Sequence, residues 1–150
     1  MNTLQSWLND AGSFSQRVLN YFKAPLEVVV LSNNLENNTP YGASYVRRVF
    51  LLVEKKPYMY AESFLPKTSL NDKNKFFLKL GNSILGQQLF GSQGAKRLKM
   101  HQGLKQLNLV PTFLSDRGVC PFRESTFIVN ERPLYLHEYF LPDFLKRLKF

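Results

Sequence analysis

Arg123-Glu124-Ser125-Thr126-Phe127-Ile128-Val129-Asn130-Glu131-Arg132-Pro133-Leu134-Tyr135-Leu136-His137-Glu138-Tyr139-Phe140-Leu141-Pro142 is the stretch whose reading decides the fold. It divides into two strand-like runs around the polar turn Val129-Asn130-Glu131-Arg132, the pattern of an antiparallel hairpin. Alternate residues of a strand share a face. Glu138 therefore lies with Leu134, Leu136 and Phe140, and Tyr135, His137, Tyr139 and Leu141 take the other side. A carboxylate on an apolar face costs on the order of several kcal/mol unless it is paired or put to use. Two readings follow: Glu138 is a buried functional carboxylate, or the Tyr-His-Tyr face is the buried one and Glu138 meets solvent. The hairpin pattern alone leaves both open.

Working back from the hairpin, residues 97–101 and 104–110 suggest two short strands. Pro111, Ser115-Asp116-Arg117-Gly118 and Pro121 punctuate a long loop that takes in Cys120. Residues 69–80 suggest a helix with the stripe Phe76, Phe77 and Leu80, ended by Gly81, after which Ser83 is placed to cap a short helix. Two helices meeting at a glycine can form a lid, or they can simply bury Ile84, Leu85, Leu89 and Phe90 in the core. Residues 45–53 and 58–65 form a second hairpin around Glu54-Lys55-Lys56-Pro57, closed by Pro66. Arg47 and Arg48 fall on opposite faces there, so at most one points inward, and periodicity does not choose. Residues 26–31 are a β-branched strand, followed by a polar loop from Asn33-Asn34 to Pro40.

Nearer the start, residues 3–10 suggest a short helix with Leu4, Trp7 and Leu8 on one side. Ser13 or Ser15 caps a second helix that runs to about Phe22. The corner between them, around Ser13-Phe14-Ser15, offers backbone N–H groups to an anion such as a carboxylate, or is an ordinary helix junction. After the final hairpin, the last nine residues suggest a basic amphipathic helix packing Phe144 and Leu148.

The chain has 150 residues, enough for one domain spanning 1–150 with a real core, and 44% hydrophobic and 14% aromatic content argue for a packed globule. A single cysteine, Cys120, excludes an intramolecular disulfide and a cysteine-rich metal site, which fits a reducing, cytoplasmic setting. No segment approaches the roughly 20 apolar residues of a membrane span, so no stable membrane insertion is expected. The net charge of +9 suits nucleic acid, an acidic membrane or a small anionic substrate, but the clusters Lys96-Arg97-Lys99 and Lys146-Arg147-Lys149 sit in no nucleic-acid motif. His101 and His137 belong to no metal-ligand pattern, and phosphate-binding glycine loops and a Gly-x-Ser-x-Gly elbow are missing. An enzyme of this composition is expected to use shape, an arginine and a carboxylate, with no metal and no cofactor.

Four blocks taken together resemble the chorismate lyase family: Trp7-Leu8 with Gly12-Ser13-Phe14-Ser15-Gln16-Arg17; Arg47 through the hairpin to Phe64-Leu65-Pro66; Leu80-Gly81-Asn82-Ser83-Ile84-Leu85-Gly86-Gln87-Gln88-Leu89-Phe90; and Pro133-Leu134-Tyr135-Leu136-His137-Glu138-Tyr139-Phe140-Leu141-Pro142. The resemblance implies the α+β class, a single antiparallel β-sheet with helices packed on it and helical flaps over an internal ligand pocket. It also implies conversion of chorismate to 4-hydroxybenzoate and pyruvate on the way to ubiquinone, without a cofactor, in a cytoplasmic protein expected to be a monomer that binds no nucleic acid. Counting back from Pro57 and Pro66 puts the family's ligand-holding arginine on Arg47, and its glutamate is Glu138; these are the implied catalytic pair. The family's backbone contacts fall on Phe14, where a methionine-like residue is common, and on Leu85. The same fold serves as the effector domain of transcription regulators, which makes a non-catalytic sensor of small aromatic acids the alternative.

Overall fold

The computed structural model describes residues 4–10, 12–106 and 119–148. Strands β1 (Leu26–Glu36), β2 (Ser44–Val53), β3 (Lys56–Pro66), β4 (Lys96–Gln106), β5 (Val119–Val129) and β6 (Arg132–Phe140) form one sheet in the order β1-β2-β3-β6-β5-β4. Every neighbouring pair is antiparallel. Helices α1 (Leu4–Leu8), α2 (Phe14–Phe22), α3 (Leu85–Phe90) and α4 (Pro142–Leu148) accompany it.

The two hairpin turns hold Glu54-Lys55 and Asn130-Glu131, all with positive φ between 48° and 71°. Both therefore have the left-handed backbone of a type I′ turn, whose twist matches that of the flanking strands. The second turn sets the pairing of Val129 with Arg132, and counting outward brings Arg123 opposite Glu138. Both faces of β6 are covered. Glu138 is 5% exposed on one side. On the other, Tyr139 packs with Phe50, Tyr60, Cys120, Phe122 and Leu141, and His137 Nε2 lies 2.6 Å from the Tyr41 hydroxyl, with the Tyr41 ring stacked on Tyr135 at 3.8 Å.

On the Glu138 face, α1, α2 and α4 meet β1–β3 in an aromatic cluster. Trp7 contacts Phe144 edge-on at 5.1 Å between centroids, and Phe14 contacts Phe140 at 5.4 Å. Ser13 caps α2, its hydroxyl accepting from the Gln16 N–H, and Lys23 closes the helix in the left-handed region.

Three stretches differ from their sequence reading. Strand β1 runs on through Asn33-Asn34 to Glu36, and Glu36 pairs with Arg48, which also holds Glu62 at 2.8 Å on the outer face. Lys96–Gln106 is one strand rather than two; what was expected beyond it, to residue 118, lies outside the described residues, whereas Cys120 and Pro121 belong to β5. Within residues 69–80 the 3₁₀ segment Lys73–Lys79 stands in place of an α-helix, preceded by a shorter one at Lys67–Ser69.

The cause of the last difference is Asn74, fully buried, whose amide donates to the Ser69 and Val129 carbonyls at 3.0 and 3.1 Å while its oxygen accepts from Asn130. These bonds tie the segment to the β5–β6 turn. Asn74→Ala leaves buried carbonyls without donors and is expected to cost about 2 kcal/mol, a fall in Tm of about 4–8 °C. A thermal melt within 1 °C of the parent would show that the network contributes nothing.

Candidate active site

The sheet's inner face carries small residues at its centre. Ala61 and Ser63 on β3 stand between Val49 and Arg47 on β2 and Glu138 and Leu136 on β6. Over this low spot lies a cavity of about 50 Å³, between the sheet and the starts of α2 and α3. Phe14, Arg47, Leu85 and Glu138, which belong to four separate parts of the sequence, all line it.

Phe14 and Leu85 are the first residues of α2 and α3, positions whose backbone N–H groups have no acceptor within the helix. The two helix starts abut. A Cβ on Gly86 would stand 2.6 Å from the Ser13 hydroxyl and 3.2 Å from that of Ser15, so a residue without a side chain is needed there. Ser83 does not cap α3. Its hydroxyl donates to the Leu80 carbonyl at 2.5 Å, and Ile84 occupies the cap position.

Arg47 is 2% exposed and points inward, whereas Arg48 takes the outer face. Its Nη2 donates to the carbonyls of Gly81 and Ser83 at 3.1 and 2.6 Å. Among the described residues no carboxylate pairs with it and its Nε has no acceptor. Burial pushes its guanidinium pKa down to about 10. A cation so placed is short of one anion.

Glu138 is paired. Arg123 Nε donates to Glu138 Oε1 at 2.5 Å, and Arg123 Nη1 reaches the carbonyls of Trp7 and Asp10 at 3.2 and 2.9 Å. Arg97, on β4, also borders the cavity, its Nη1 donating to the Asp10 and Gly12 carbonyls at 3.3 Å and its guanidinium 4.8 Å from the Phe127 ring. Three guanidinium groups and one carboxylate thus face a small apolar hollow. Such a site suits an anion with more than one negative charge and a polar group for Glu138.

Sequence reasoning missed Arg97 and Arg123. Arg123 was within reach, because the turn at 130–131 fixes its register opposite Glu138. Arg97 sat in a basic cluster indistinguishable from surface charge. The Cys120 thiol lies away from the cavity, and burial raises its pKa. Among the described residues no group of three or more His, Cys, Asp or Glu side chains is placed to hold a metal, and no helix is long and apolar enough to cross a membrane.

Comparison with known proteins adds to this geometry. The family model described as chorismate lyase matches residues 1–149. A probable chorismate pyruvate-lyase of Psychromonas ingrahamii is 28% identical over 159 residues, covering 93% of this chain and 82% of that protein. Another probable chorismate pyruvate-lyase, of Pseudoalteromonas atlantica, is 30% identical over 163 residues, covering 93% and 79%. Among solved structures, a GntR-family transcriptional regulator of Bacillus cereus superposes with a TM-score of 0.55 at 13% identity, over 79% of this chain and 92% of that one, a likeness of fold.

Proposed function

The chain belongs to the chorismate lyase family, and from that membership we propose that it is a chorismate pyruvate-lyase, converting chorismate to 4-hydroxybenzoate and pyruvate for ubiquinone-type quinone synthesis. The observation that carries this reading is Arg47, a buried guanidinium with no carboxylate partner among the described residues, facing the same hollow as Glu138.

Chorismate brings two carboxylates and a ring hydroxyl. Arg47 offers a planar fork to one carboxylate, helped by the N–H groups at the starts of α2 and α3. Glu138, held by Arg123, accepts a hydrogen bond from the hydroxyl end and assists proton movement. In the reaction the ring–oxygen ether bond breaks and the ring loses a proton as it aromatises. The departing enolpyruvate gains one and becomes pyruvate. The protons balance and no oxidant or reductant is consumed. Aromatisation supplies much of the driving force, and the protein contributes by holding the reactive conformer in a water-poor space where its charges act strongly.

The cavity of about 50 Å³ takes a few water molecules, while pockets for ligands of this size run to several hundred. Chorismate therefore needs a wider hollow than this one. The test is purified protein mixed with chorismate, with both products measured. Stoichiometric 4-hydroxybenzoate and pyruvate are expected, with kcat/KM about 10²–10³ lower in Glu138→Gln. Tight binding of 4-hydroxybenzoate without turnover would replace this reading with the sensor of aromatic acids.

A further inference from the structure

We propose that Arg97 binds the carboxylate of chorismate's three-carbon enolpyruvyl arm, the one that leaves as pyruvate. This deepens the lyase reading and rests on it.

The substrate presents two carboxylates, one on the ring and one on the arm, and the cavity presents three arginines. Arg123 is engaged with Glu138 at 2.5 Å. Arg47 and Arg97 come from opposite halves of the sheet, β2 and β4, with β3, β6 and β5 between them, so their long side chains approach the hollow from two sides. Two cations so arranged suit an anion charged at both ends better than one charged at a single end.

Position separates their tasks. Arg47 is almost wholly enclosed, and its Nη2 is tied to Gly81 and Ser83. Arg97 is only half-buried and stands at the rim. It bonds to the Gly12 carbonyl, and Gly12 and Ser13 border both the cavity and an exposed groove over α2. The leaving fragment is the smaller product and must reach solvent, so its carboxylate belongs at the rim. Burial and the nearby charge of Arg123 hold the Arg97 pKa down at about 10, against the opposing charges of Glu138 and Asp10. Phe127, and Phe90 at 5.8 Å, flank the guanidinium and limit where it can turn.

The experiment measures chorismate turnover, affinity for 4-hydroxybenzoate and inhibition by pyruvate in the wild type, Arg97→Gln and Arg97→Lys, with a thermal melt of each. Arg97→Gln is expected to lower kcat/KM for chorismate at least about 30-fold and to abolish inhibition by pyruvate. Its affinity for 4-hydroxybenzoate, which lacks the arm, should stay within about threefold. Arg97→Lys should retain part of the lost turnover, because a cation remains. Unchanged turnover in Arg97→Gln, or an equal loss of chorismate turnover and 4-hydroxybenzoate affinity, overturns the assignment while leaving the lyase reading intact. Absence of turnover in the wild type removes the lyase reading, and this assignment with it.

Discussion

Arg47→Met is expected to abolish turnover and at the same time make the ligand-free protein more stable. The guanidinium is 2% exposed, lacks a carboxylate partner among the described residues, and has an Nε without an acceptor. Its Nη2 bonds to two main-chain carbonyls offset part of the desolvation cost, but burial still drives its pKa down to about 10. Methionine keeps the length and apolar packing of the side chain without the charge. A buried ion carries a desolvation penalty on the order of several kcal/mol, which methionine does not. The carbonyls of Gly81 and Ser83 lose their donor, so a net gain of about 1 kcal/mol is expected, a rise in Tm of about 2–4 °C. Chorismate kcat/KM should fall at least about 10³-fold. The wild type at 100 times its Kd for 4-hydroxybenzoate should gain about 2.7 kcal/mol from the ligand, and the variant should gain none. A clear fall in Tm would mean that Arg47 supports the fold and is not a buried cation kept for a ligand.

Opposite signs for stability and activity are what a residue kept for a ligand should give, since its interactions are completed only when the ligand arrives. The same logic explains how much of the site was legible. Strand alternation placed Glu138 on a face with Leu134, Leu136 and Phe140, and it put Arg47 and Arg48 on opposite faces; both patterns hold in the fold. Neither said which face was inner, because β6 is covered on both sides and Arg48 finds its own carboxylates outside. Local signals failed where a tertiary contact decided the backbone. Asn71 accepts from the Asn74 N–H at 2.8 Å and Asn74 reaches across to Val129, which turns a helix-like stripe into 3₁₀ segments. Gly103, a strand breaker by propensity, lies inside β4, where a Cβ would stand 3.0 Å from the Phe122 ring. Arg97 could not be found at all from one sequence, since only the sheet order carries β4 round to the cavity rim.

Arg123→Met should do the reverse of Arg47→Met. It strands Glu138, 5% exposed, without the guanidinium that holds it at 2.5 Å, and it takes a donor from the Trp7 and Asp10 carbonyls. Breaking a buried pair by removing one partner costs about 3–5 kcal/mol. The positive charge of Arg97 acts on Glu138 too, so the lower end, about 3 kcal/mol and a fall in Tm of about 6–12 °C, is expected. Removing the charge as well, in Arg123→Met/Glu138→Gln, should recover about half of the loss, because the two residues are coupled by about 1–3 kcal/mol. If the double variant is as unstable as the sum of the two single changes, the pair is not a unit and Arg123 acts through its backbone bonds alone. Those bonds matter for the site in either case. The Asp10 carbonyl leads through Gly12 and Ser13 to Phe14, so Arg123 fixes both the carboxylate that meets the ligand and the corner from which α2 begins. Its loss should therefore weaken 4-hydroxybenzoate binding more than Glu138→Gln alone does, a comparison that isothermal titration of the two single variants would decide.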